Sequence, residues 1–167
     1  WLQSSSWDVH AFVLPVLGHE RGISASVIGS ILGAFAIAAA VIRVALPLIA
    51  SRASERSVIL SSTIVTAAVF AVYPLLDSAW TMGLCSVILG FALGAVQPMV
   101  MSMLHQITPH TRHGEALGLR LMTINASSVA MPMLFGSIGA LIGIAGVFWV
   151  VGGVLALGAR ATWGLKV

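Results

Sequence analysis

The chain has 167 residues, of which 59% are hydrophobic and only 8% charged, and its formal net charge is +3. Soluble domains average about 25% charged residues, so this composition excludes a solvated globule and, with a mean hydropathy of +1.05, indicates an integral membrane protein. The pI of 10.0 does not signal nucleic-acid binding, because the 8 Lys and Arg residues are scattered rather than gathered into a patch.

Five long apolar stretches, roughly 26–50, 57–76, 80–104, 116–142 and 144–163, are joined by short polar connections, and a sixth, about 1–17, is cut off at its start. Crossing the hydrocarbon core takes about 20 apolar residues at 1.5 Å each, and each complete stretch meets that length. The sequence predicts an all-α, polytopic transmembrane bundle of about six spans, forming one unit over residues 1–167. The opening residues, Trp1 to Asp8, show no basic n-region and no cleavage signal. They read as the interior of a span already under way, so an N-terminally truncated fragment is expected.

The first span carries Asp8 and His10. Asp8 lies ten residues before Gly18, about 15 Å below the end of the span. An ionisable group at that depth is a functional hypothesis by default. Asp8 is the candidate for proton or cation coupling. His10 lies two residues on, about 200° around the helix, and is a weaker candidate for a substrate cavity.

In the second span, Arg43 sits about two turns from the inner end; Arg120 is placed similarly in the fifth. Either can snorkel to head groups or face an anion in a cavity. Arg52 and Arg56 lie in the connection after the second span. The third and sixth spans lack ionisable groups over 57–76 and 144–159, which marks them as lipid-facing. The fourth and fifth carry Gln97 and Asn125, which can hydrogen-bond a substrate or glue helices together. Cavity-lining helices are therefore expected to be spans one, two, four and five.

Gly29/Gly33, Gly90/Gly94 and Gly139/Gly143 are spaced i, i+4, which allows close helix approach. Pro98 and Pro132 are expected to kink their spans. Cys85 reads as a small buried apolar residue. His105, His110, His113 and Glu115 cluster in a loop, but their spacing matches no zinc signature, and no metal or other cofactor is expected. The Asn125-Ala126-Ser127 sequon falls inside a span and is discounted.

Successive connections alternate sides. One side holds Arg52, Arg56, Arg112, Arg160 and Lys166, the other only Arg21. The richer side is expected in the cytoplasm, which puts the C-terminus there, in an inner (plasma) membrane of bacterial type.

Three segments then resemble the C-terminal six-helix half of a major facilitator superfamily (MFS) transporter. The run Pro47-Leu48-Ile49-Ala50-Ser51-Arg52-Ala53-Ser54-Glu55-Arg56 is similar to the family's G-x-L-A-D-R-x-G-R-R loop. Arg52 and Arg56 match, whereas Pro47, Ser51, Ser54 and Glu55 depart from it. Ser127 to Gly136 is similar to the G-x-x-x-G-P-x-x-G-G signature of antiporters, matching at Pro132 and Gly136. Gly90-Phe91-Ala92-Leu93-Gly94-Ala95-Val96-Gln97-Pro98, a basic Pro-containing loop and Gly114-Glu115-Ala116 complete the resemblance, which covers essentially the whole chain.

The resemblance implies two six-helix halves, a missing N-terminal half as partner, and a solute site between them reached by alternating access. The expected function is a secondary transporter (permease) for a small solute, proton-coupled through Asp8, with a lean to efflux. His10, Arg43, Gln97, Arg120 and Asn125 are the cavity candidates, and Arg52 and Arg56 belong to the cytoplasmic loop. Membrane lipid is the other expected partner, and nucleic acid is not. Competing readings are a membrane-embedded enzyme, for which no clustered nucleophile and base is present, and an oligomeric six-helix channel.

Overall fold

The computed structural model describes the backbone of residues 2–50 and 54–164, and side chains over 4–48, 54–109 and 111–158. Among these the chain is helical throughout: α1 (Leu2–Glu20), α2 (Ala25–Ala50), α3 (Glu55–Val72), α4 (Ala79–Ile107), α5 (His113–Ile142) and α6 (Ile144–Gly164). A 3₁₀ turn, Tyr73–Leu75, extends α3, and another, His110–Arg112, leads into α5. Several helices outrun the apolar stretches that predicted them. α4 continues to Ile107 and α5 begins at His113, carrying polar residues beyond the hydrocarbon-length core.

Among the described residues four helices, α2 to α5, are long and apolar enough to cross a bilayer. The sequence counted six spans. The difference lies in α1, whose first half holds Ser4, Ser5, Ser6, Asp8 and His10, and in α6, whose described apolar run covers only 144–158.

Short connections force successive helices to run antiparallel. α4 packs on α2 and α3, α3 on α6, α6 on α5, and α5 on α1, which returns to α2 and α4. This ring encloses the main core, and a smaller cluster of Leu46, Ala95 and Met99 sits between α2 and α4. α1 contributes Val9, Val13, Leu14 and Leu17 at helical spacing, against Phe35 of α2, Phe70 of α3, Leu89 of α4, Phe135 of α5 and Phe148 of α6.

Lipid tails are as apolar as leucine, so packing and interhelical hydrogen bonds drive association. The α2–α4 crossing depends on Gly90 and Gly94. A Cβ on Gly94 would meet the Ala39 backbone at 2.7 Å, and one on Gly90 would meet Ala38 Cβ at 2.8 Å. The other two glycine pairs behave differently. Gly29 and Gly33 face open space among the described residues. Gly143 is the turn between α5 and α6, with a φ of 80° that only glycine adopts readily. At the α3–α4 contact, Ser62 Oγ donates to the Ala92 carbonyl at 2.6 Å.

Pro98 and Pro132 lie inside continuous helices, as do Pro15 and Pro47. Pro98 cannot donate to the carbonyl of Gly94. Arg43 Nε supplies a donor to that oxygen from α2, at 3.4 Å.

Candidate functional site

A cavity of about 620 Å³ opens toward the end of the bundle where α3 begins, α4 ends and α5 begins. That volume is within the usual range for small-molecule sites. Each helix presents a stripe at i, i+3 or i+4 spacing, as one helical face requires. Ser4 and Trp7 come from α1, and Ile59 and Thr63 from α3. α4 supplies Leu93, Val96, Gln97, Val100 and Leu104. α5 gives Arg120, Thr123 and Ile124, and α6 reaches in with Gly158.

The structure thus brings Gln97 and Arg120 to one wall, although they sit on different helices. Two features differ from the sequence expectation. Among the described residues none of α2 lines this cavity, while α3 and α6, expected to face lipid, both do. The reason is chemical: beyond its first turn α3 has no charge, but its inward face carries the hydroxyls of Ser62, Thr63 and Thr66. Ionisable groups alone were a poor guide to which helices turn inward. Trp7 and Thr63 were missed for that reason.

Asp8 and His10 point in different directions, as their spacing requires. Asp8 is partly buried and shares a stripe with Phe12, Pro15 and His19, of which Phe12 and His19 are exposed. One carboxylate oxygen of Asp8 is shielded from solvent and meets no hydrogen-bond donor among the described residues. His10 is fully buried in the bundle core rather than on the cavity wall. Its ring stacks on Phe35 with centroids 4.4 Å apart. Its Nε2 is hydrogen-bonded to Ser86 Oγ at 2.9 Å, and Ser86 Oγ to the Tyr73 hydroxyl at 2.8 Å. Tyr73 in turn donates to the Met82 carbonyl at 3.3 Å. One proton order satisfies this chain: His10 donates to Ser86, Ser86 to Tyr73, and Tyr73 to the backbone. His10 Nδ1 then carries the lone pair, and it has no partner in the core.

Arg43 is engaged in packing. Besides its bond to Gly94, its guanidinium lies over the Trp7 ring, 5.6 Å from the centroid, a cation–π distance. Trp7 meets Phe35 edge-on at 4.6 Å. Asn125 is exposed on α5 and is not part of the cavity wall. Arg56 is exposed on the first turn of α3, and Arg52 lies outside the described residues.

At the same end, Glu55 accepts hydrogen bonds from Ser102 Oγ at 3.1 Å and Gln106 Nε2 at 2.7 Å, tying the start of α3 to the end of α4. At the opposite end, Arg21 pairs with Asp77 at 2.8 Å and also donates to the Pro74 carbonyl. In the 105–113 loop, the His105 and His113 rings bond to the carbonyls of Met101 and Thr108. Among the described residues no three His, Cys, Asp or Glu side chains converge as a metal site would require. The described chain therefore offers a mainly apolar cavity, with Gln97, Arg120 and hydroxyls on its wall, inside an apolar helical bundle.

No curated protein matches the chain. The family model described as Major Facilitator Superfamily matches residues 1–165. With the match spanning nearly the whole chain and the helices arranged as membrane spans, the chain belongs to the Major Facilitator Superfamily of membrane transporters.

Proposed function

We propose that this chain forms the C-terminal six-helix half of a proton-coupled secondary transporter that expels a small solute, working with an N-terminal half of the same design. The observation that carries the coupling is Asp8. One of its carboxylate oxygens is shielded without a donor among the described residues, in the first half of α1, on a stripe where Phe12 and His19 stay uncovered by the other five helices. A carboxyl so placed can take up a proton, or give it up, as the facing half moves. Gln97 and Arg120 serve the solute, since both line the cavity. The lean to efflux draws on Pro132 and Gly136 of α5. The excess of Arg on the side of the 51–56 and 105–113 connections supports a cytoplasmic C-terminus in an inner membrane.

The test is flux in inverted vesicles carrying the whole transporter, as parent and as Asp8→Asn. The parent is expected to accumulate solute when an acid-inside gradient is imposed. Asp8→Asn, which cannot carry a proton, should lower gradient-driven flux at least about tenfold at equal expression. Unchanged flux and unchanged response to the gradient would remove Asp8 from the coupling.

A further inference from the structure

We infer that the cavity beside Arg120 takes an amphipathic organic anion, a solute with a carboxylate head and an aromatic or aliphatic body. This deepens the transport reading above and rests on it for the site. Among the described residues Arg120 is the one ionisable side chain on the wall, and neither Asp nor Glu lines it. Its guanidinium has no ion pair or hydrogen bond among the described residues. A half-buried cation beside an apolar wall favours an anionic partner over a neutral or cationic one. The planar fork of arginine matches a carboxylate with two parallel hydrogen bonds.

The rest of the wall describes the remainder of the ligand. Trp7, Leu93, Val96, Val100 and Ile124 form a largely apolar lining, suited to a ring or short chain. Thr123 lies three residues from Arg120 on the same face of α5, and Gln97 faces them from α4. The Thr123 hydroxyl already donates to the Leu119 carbonyl at 2.8 Å, so it offers the ligand only lone pairs. The Gln97 amide is therefore the second donor for the head group. A sugar would demand many polar contacts that this wall lacks. About 620 Å³ holds one fused ring system with its head group but not both chains of a phospholipid, which favours a free solute over a lipid.

The experiment uses the whole transporter in phosphatidylcholine nanodiscs and measures binding by equilibrium dialysis. Three probes share one body: 2-naphthoate, 2-naphthamide and 2-naphthylmethylammonium. Naphthoate is expected to bind roughly tenfold or more tightly than the other two, and Arg120→Gln to weaken it by a similar factor. Arg120→Lys, which keeps the charge but loses the fork, should fall between parent and Arg120→Gln. It also decides the matter if Arg120→Gln fails to fold. Equal affinity for all three probes, no binding of any, or naphthoate affinity unaltered by both variants would overturn the inference. So would loss of naphthoate binding in nanodiscs containing phosphatidylglycerol, which would assign the site to a lipid head group. Binding needs no gradient, so its outcome stands apart from the Asp8 flux test.

Discussion

Arg43 on α2 donates to the carbonyl of Gly94 on α4, the oxygen that Pro98 leaves without its helical donor. Three residues that seemed to serve separate purposes (a snorkelling cation, a packing glycine and a kinking proline) are joined at one oxygen atom. Where lipid surrounds a helix, a freed carbonyl needs a replacement partner, and here a neighbouring helix provides it.

A double-mutant cycle follows from that geometry. Arg43→Gln is expected to destabilise the bundle by about 1 kcal/mol, in line with one interhelical hydrogen bond. In a Pro98→Ala background the helix regains its own donor and the loss should shrink, giving a coupling of about 0.5 kcal/mol or more. Unfolding midpoints in detergent measure all four corners. Strictly additive values would show that Arg43 and Pro98 act independently.

The glycine pairs separate cleanly by what surrounds them. Gly94→Ala forces a Cβ to within 2.8 Å of the Ala39 carbonyl oxygen and 2.6 Å of Ile42. Overpacking of this kind costs about 1–3 kcal/mol. Gly29→Ala and Gly33→Ala meet nothing within 4 Å and should stay within about 0.5 kcal/mol of the parent. The same unfolding assay compares them, and equal losses at all three positions would contradict the assigned α2–α4 contact.

Ser86 is the hub of the buried chain linking His10 to Tyr73. Ser86→Ala strips a partner from two fully buried groups at once, which predicts a loss of about 1–3 kcal/mol. Tyr73→Phe leaves the His10–Ser86 bond in place and should cost less. Ser137→Ala, on an exposed site of α5, is the neutral comparison. A Ser86→Ala protein as stable as the Ser137→Ala protein would mean that the buried chain contributes nothing.

Helix positions were legible because a span announces itself through length and apolarity alone. Which face of a span turns inward was not. A soluble helix advertises its buried side by contrast with a polar side, and these helices are apolar all round, so His10 and Asp8 could be separated in angle but not assigned to core and exterior. Gly29/Gly33 and Gly90/Gly94 read identically in sequence, and only the arrival of Ala38 and Ala39 distinguishes them. The cavity was legible in Gln97 and Arg120. It was not legible in Trp7 and Thr63, whose place depends on the ring order of the helices. Arg43 stood out as a cation, but its carbonyl partner is a backbone atom on another helix, which no side-chain pattern encodes.

The connection between α5 and α6 is a single residue, Gly143. Two helices joined so closely must be threaded into the bilayer as one hairpin, because neither can wait in a solvated loop for the other. That face of the molecule consequently offers no slack there for a protease, an antibody or an inserted tag, and a reporter aimed at this side belongs at Asp77 and Ser78, where the chain between the Tyr73–Leu75 turn and α4 has room to carry one.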